Sequence, residues 1–229
     1  MSEQVREMFA SIARRYDAAN EVLSLGVHRS WRRAAVQLSG ARPGQRVLDC
    51  ATGTGDLALA FKRAVGPTGT VVATDFCEEM LAGAKPKARR AGLEIQLEVA
   101  DALALPFADH SFDIASIAFG IRNVDDPVRC LREMARVVKK DGRVVVLEFG
   151  QPHGPFGALF RVYSRRVMPA VGGLLTGNRE AYEYLPRTAA AFPAGDRFLA
   201  LMDEGGSFRE RASTPLLSGT AYVYVGVVG

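Results

Sequence analysis

Short apolar, β-branched runs alternate with amphipathic helical patterns along most of this chain. Strands are predicted at Arg46–Cys50, Thr70–Thr74, Ile95–Val99, Asp113–Ala118 and Arg143–Phe149, each bounded by polar or glycine-containing segments. Between them, Asp56–Val65, Glu78–Ala91 and Pro127–Val138 carry apolar positions at helical spacing. The last of these opens on Asp125, Asp126 and Pro127, which are helix-start signals, and ends before Gly142. Strands alternating with helices predict an α/β fold with a mostly parallel sheet.

The pattern changes at both ends. Phe208–Pro215 and Ala221–Val227, separated by a short segment containing Gly219, predict an antiparallel hairpin that brings the sheet to seven strands. Before the first strand, Val5, Phe9, Ile12 and Tyr16 fall on one helical stripe, and a second helix carries Trp31, Ala34, Ala35 and Leu38. Between Gly150 and Gly195 lies material that a minimal sheet does not need; there Phe156, Leu159, Phe160, Tyr163 and Val167 share one helical face. Insertions after a strand's carboxyl end commonly shape a substrate pocket. The expected organisation is a single unit over residues 1–229: a helical cap (1–42), a cofactor-binding core (43–150), a lid (151–195), and a terminal helix with the hairpin (196–229).

Composition narrows the picture. A length of 229 residues and 48% apolar content suit one globular α/β domain. Three cysteines in no metal-binding or disulfide pattern imply reduced thiols and no metal site. The N-terminus lacks a signal-peptide core, and every long apolar stretch is broken by charge, so a cytoplasmic protein that does not span a membrane is expected. A net charge of +4 is too mild, and too scattered, to predict a nucleic-acid partner.

The candidate chemistry begins at Val47-Leu48-Asp49-Cys50-Ala51-Thr52-Gly53-Thr54-Gly55-Asp56, a strand followed by a tight glycine turn and a helix. Backbone without Cβ atoms approaches a ligand closely at such a turn. Gly53, Gly55 and Ala58 also satisfy a dinucleotide-type spacing, with Asp75 at the end of the second strand, so the turn alone leaves the ligand open. Carboxylates tip the balance. Asp49 and Asp56 flank the turn, where they would repel a pyrophosphate but suit the cationic S-adenosylmethionine. Asp75 is placed to accept hydrogen bonds from ribose hydroxyls, and Asp101, at the end of the third strand, to hold the adenine.

Longer motifs carry a more specific resemblance. Phe9-Ala10-Ser11-Ile12-Ala13-Arg14-Arg15-Tyr16-Asp17, Leu25-Gly26-Val27-His28-Arg29-Ser30-Trp31, Thr52-Gly53-Thr54-Gly55-Asp56 and Phe119-Gly120-Ile121-Arg122-Asn123-Val124 resemble the menaquinone and ubiquinone biosynthesis C-methyltransferases, as do Leu147-Glu148-Phe149 and Tyr182-Glu183-Tyr184-Leu185-Pro186. The resemblance implies a class I S-adenosylmethionine-dependent methyltransferase, Rossmann-like fold. It also implies methylation of a ring carbon of a polyprenylated quinol, either demethylmenaquinol or a methoxy-polyprenyl-benzoquinol. Thr54, Asp75, Asp101 and Ala102 match cofactor-contacting positions, and Tyr16, Asp56, Arg122 and Asn123 match the group acting on the quinol. Departures fall at Ala118, where a small hydroxyl residue is usual, at Arg187-Thr188-Ala189, and in the terminal strand.

Carbon methylation requires loss of a phenolic proton, and phenols ionise near pH 10. Arg122 is expected to stabilise the resulting charge, Asn123 to orient the ring, Asp56 to help accept the proton and Tyr16 to complete the network, with His28 a further candidate base that also suits a packing role. A water-insoluble tail implies transient contact with a membrane surface, for which the Phe156–Val167 face and its arginines are candidates. A homodimer is left open. Rival readings are a methyltransferase for another small aromatic or polyketide acceptor and a non-catalytic S-adenosylmethionine-binding subunit.

Overall fold

The computed structural model describes residues 3–206 and 208–229. Helices α1 (Glu3–Ile12), α2 (Tyr16–Ser24) and α3 (Val27–Ser39) precede the sheet. The core then runs β1 (Arg46–Cys50), α4 (Asp56–Val65), β2 (Thr70–Asp75), α5 (Glu78–Ala91), β3 (Gln96–Val99), β4 (Phe112–Ala118), α6 (Pro127–Val137) and β5 (Val138–Phe149). Helices α7 (Gly154–Val162), α8 (Met168–Thr176) and α9 (Arg179–Ala191) form the insertion, and α10 (Asp196–Gly205), β6 (Phe208–Leu216) and β7 (Ala221–Val228) complete the chain.

The seven strands lie in the order β3-β2-β1-β4-β5-β7-β6. Neighbours from β3 to β5 pair in parallel, while β7 runs antiparallel to both β5 and β6. The strand order reverses between β1 and β4, and in open α/β sheets ligands bind in the crevice beyond the carboxyl ends at such a point. Helices α6 and α10 pack Leu131, Met134, Phe198 and Met202 on one face, while α3 and α4 pack Trp31, Ala35, Leu57 and Phe61 into a second cluster. A third cluster joins the cap to the insertion through Ile12, Ala19, Leu23, Ala181 and Tyr182.

Three local features differ from the sequence expectation. The N-terminal stripe is not one helix: a 3-10 turn at Ala13–Arg15 separates Ile12 from Tyr16, which opens α2. Strand β5 starts at Val138, directly after α6, because Val138 pairs with Phe112 before the chain bulges past Asp141, whose φ is +63°, and resumes pairing at Arg143. The polar residues of this bulge hid the early start. The insertion comprises three helices, and a π turn at Tyr163–Val167 between α7 and α8 interrupts the stretch whose spacing predicts one helical face.

The α6–sheet interface is close-packed, and Leu131 is fully buried in it. Leu131→Ala should lower unfolding stability by about 2–5 kcal/mol in urea titrations, the usual range for cavity formation in a core.

Candidate active site

Two cavities meet above the reversal point. The narrower follows the glycine turn and the ends of β2 to β4, and is lined by Gly53, Asp75, Asp101, Ala102, Gly120 and Asn123, with Phe9 and Tyr16 contributed by the cap. The wider, about 430 Å³, lies between cap and insertion and is lined mostly by apolar and aromatic side chains, with Arg122, His28 and Arg32 among its few charged or titratable groups. Tyr16 and Phe119 line both.

The glycine turn is built by backbone conformation. Gly53 and Gly55 have φ of +58° and +82°, and a Cβ on Gly55 would stand 2.9 Å from the Ala84 Cβ. Ala51 also takes a positive φ of +46°. Asp75 accepts hydrogen bonds from Gly53 N at 2.7 Å and Cys77 N at 2.9 Å, which locks its carboxylate at the mouth of the turn. Burial pushes its pKa up against those two donors. Asp101 accepts from Leu103 N at 3.0 Å. Two carboxylates at adjacent strand ends, a Cβ-free turn and apolar Met80 and Val124 make a cradle that fits a nucleoside.

Four of the expected residues stand outside both linings. Asp49 is 1% exposed and lies beneath the turn, accepting from Thr52 Oγ1 at 2.7 Å and Ser116 Oγ at 2.6 Å. Its setting is that of a support for the turn. Thr54 donates to Asp17 Oδ1 of α2 at 2.6 Å, and Gly55 faces α5. Asp56 contacts Lys87 Nζ at 2.6 Å and Arg32 at 3.2 Å. Burial raises the Asp56 pKa, but these two cations outweigh it, so the carboxyl sits below its usual range and is a weak proton acceptor. Lys87 also reaches Asp17 at 2.7 Å, so the cap is clasped to the turn through a chain of alternating charges.

The Phe119–Asn123 turn builds the floor of the wider cavity. Phe119 has a φ of +55°, and its carbonyl accepts from Arg122 Nη1 at 2.5 Å and Asn123 Nδ2 at 3.4 Å. Arg122 also donates from Nη1 to Glu148 Oε1 at 2.8 Å, in a pair whose side chains are 3% and 1% exposed. The Arg122 guanidinium lies over the Phe149 ring, and its Nε is buried with no partner. Burial drives the Glu148 carboxyl upward in pKa while Arg122 opposes the shift. Tyr184 donates to Asn123 Oδ1 at 3.3 Å, tying the insertion to the same turn. Above it, Trp31, Phe119 and Phe149 pack ring against ring at centroid separations of 4.4–6.2 Å.

The ion pair of Arg122 therefore joins it to Glu148. Glu148 lies in the Leu147-Glu148-Phe149 motif, which by itself assigns it no role, although a carboxylate inside Val144-Val145-Val146-Leu147-Glu148-Phe149 signals a buried partner. Asp17 closes the Phe9–Asp17 motif without a role of its own there, and nothing in the local sequence of Arg32 or Lys87 marks them.

The family model described as the ubiE/COQ5 methyltransferase family matches residues 1–227. The chain belongs to this family. It is 53% identical, over 99% of its length and 96% of the relative's, to the ubiquinone/menaquinone biosynthesis C-methyltransferase UbiE of Bdellovibrio bacteriovorus. It is 49% identical to the demethylmenaquinone methyltransferase of Thermus thermophilus, over 96% of this chain and 99% of that one. Among solved structures, a SAM-dependent methyltransferase from Aquifex aeolicus superposes with a TM-score of 0.62 at 19% identity, over 86% of this chain and 89% of that chain. Phosphoethanolamine N-methyltransferase 2 of Haemonchus contortus, in complex with S-adenosyl-L-methionine, gives 0.63 at 14% identity, over 86% of this chain and 52% of that one. The protein is an S-adenosylmethionine-dependent methyltransferase of the seven-stranded, mostly parallel class.

The burial of Asp49 has a measurable consequence. Desolvation raises its pKa from 3.8 to about 6 despite the hydroxyl donors of Ser116 and Thr52. A raised carboxyl pKa means that the folded state holds a proton the unfolded state has released, so this contribution is present at low pH and is lost as pH rises through the window from about 4 to 6. Relative to Asp49→Asn, the wild-type protein should lose up to about 3 kcal/mol of stability across that window, read from urea midpoints at each pH.

Proposed function

We propose that the protein methylates a ring carbon of a quinol bearing an isoprenoid tail, in quinone biosynthesis. The observation that carries this reading is the wide, aromatic cavity that meets the nucleoside cradle at Tyr16 and Phe119, with Arg122 in its floor. The full-length relatives named for quinone C-methylation support the same reaction. S-adenosylmethionine bound in this cradle would supply an electrophilic methyl group.

The protein's residues do the rest. Asp75 and Asp101 orient the nucleoside, and Gly53, Ala102 and the glycine turn give it close backbone contact. Asp49 and Thr54 hold that turn from beneath and from the cap. Tyr16 stands where the two cavities join, and Asn123 lines the nucleoside cradle on the turn that carries Arg122; together they align the ring. Arg122 lines the acceptor cavity as a cation, and a cation beside the ring stabilises a developing phenolate more in a water-excluded site than it would in water. Asp56 fixes Arg32 and Lys87. The narrow cradle is walled on one side by Phe9 and Tyr16 of the cap.

Transfer of labelled methyl from S-adenosylmethionine to reduced short-tail demethylmenaquinol and, in parallel, to a methoxy-benzoquinol tests the assignment. Product is expected with one ring, and Arg122→Ala should reduce turnover by about 10²–10³-fold, as loss of an oxyanion donor does. No product with either ring would overturn the reading.

The cavity mouth suggests how a tailed substrate arrives. Leu25, Leu159 and Leu217 line the cavity yet are 88%, 68% and 52% exposed. Arg29, Arg161, Arg165 and Arg166 lie nearby in sequence and are exposed. No helix among the described residues is long and apolar enough to cross a membrane. The face therefore fits docking on a bilayer surface, with the tail left in lipid. Leu25→Ser combined with Leu159→Ser should reduce co-sedimentation with anionic vesicles while leaving S-adenosylhomocysteine binding unchanged.

A further inference from the structure

The quinol reading leaves the phenolic proton without a destination. No aspartate or glutamate occurs among the described residues that line the wide cavity. Arg32 and Arg122 are cations, the tyrosines are phenols like the substrate, and burial holds Tyr163 and Tyr182 more firmly protonated. Among the described residues of the lining, His28 is the one whose neutral side chain offers a basic lone pair.

We propose that His28 is the proton acceptor of the methyl-transfer reaction, taking the phenolic proton on Nε2 and passing it to solvent by way of Glu21. Its tautomer follows from its neighbours. Ser24 Oγ spends its only proton on the Asn20 carbonyl, 2.7 Å away. With that proton committed, Nδ1–H is assigned as the donor in the contact between His28 and Ser24 Oγ, which leaves the lone pair on Nε2. Nε2 stands 3.7 Å from Glu21 Oε2, and Glu21 is partly exposed and also paired with Arg29 at 2.9 Å.

Burial keeps the imidazole below its ordinary pKa, as do Arg32 and Arg29, against Glu21 and Asp56, so His28 is neutral and ready to accept at neutral pH. The balance is simple. The O–H bond breaks, its electron pair stays on oxygen, and an N–H bond forms on Nε2. The ring carbon bonds to the methyl group as the carbon–sulfur pair leaves with sulfur. The resulting dienone loses its ring C–H proton to water, which restores aromaticity and the phenolate. That oxygen takes back one proton, so of the two protons removed one is returned. One proton is released per turnover, and Glu21 gives it a route outward. Arg122 stabilises the phenolate but does not take the proton.

The assignment rests on the quinol reading, and the test separates the two. In wild type, kcat/KM for the accepted quinol, followed from about pH 5 to 9, should rise with a limb set by His28, and H28Q should lose that limb and about 10²–10⁴-fold of the rate. S-adenosylhomocysteine binding by H28Q reports that the variant is folded. Independently of turnover, nitrogen NMR of the chain's three imidazoles should show His28 as the Nδ1–H tautomer, titrating below its ordinary value. E21Q removes a carboxylate that favours the imidazolium, so it should move both the NMR titration and the kinetic limb to lower pH, which keeps the test open if H28Q does not fold. An H28Q enzyme within about threefold of wild type with the same acid limb, or an Nε2–H tautomer, would overturn the role of His28 alone. Absence of turnover by wild type on any quinol would overturn the acceptor reading and this assignment with it.

Discussion

The arrangement at the junction of the cavities depends on the buried contact between Arg122 and Glu148. Glu148 projects from β5 and Arg122 from the turn after β4, so the ion pair locks together the carboxyl ends of two neighbouring strands. Removing one partner of such a pair commonly costs about 3–5 kcal/mol, because the other charge is left buried and unpaired. The Phe119 carbonyl joins the same knot, and the positive φ of Phe119 is held by it. Strained backbone of this kind persists where surrounding contacts over-determine it, and these contacts also orient Arg122 and Asn123.

Around this knot the molecule separates two chemical environments. The nucleoside cradle is formed by strand ends, backbone donors and carboxylates, and its shape follows from a parallel sheet whose order reverses between β1 and β4. The acceptor cavity is formed by helices added before and after the core, and is walled by aromatic and aliphatic side chains. Polar recognition is thus assigned to the sheet, and apolar enclosure to the cap and insertion. Tyr16 and Phe119 belong to both walls, where a group must pass from one ligand to the other.

The cap is held by charges as well as by packing. Asp17, Lys87, Asp56 and Arg32 alternate in sign across α2, α5, α4 and α3, and Asp17 and Lys87 both contact Thr54. Such a clasp is partly solvent-accessible and weaker than a core contact. The cluster of Ile12, Leu23 and Tyr182 ties the cap to the insertion, so the two are coupled as they cover the site.

Much of this was legible in the chain. Alternating strand and helix patterns determined the sheet, because period-two and period-3.6 burial leave direct traces in residue order. The glycine turn and the acids at successive strand ends marked the nucleoside cradle, since close backbone approach and hydroxyl recognition demand those residue types. Only the tertiary structure decided which charges pair. Asp56 faces Lys87 and Arg32 instead of the acceptor cavity, Arg122 faces Glu148, and His28 turns one ring nitrogen to Ser24 and the other towards Glu21. The physical reason is that periodicity is a local property written every few residues, whereas an ion pair or a cavity wall joins side chains from distant segments whose meeting is set by how helices stack on the sheet.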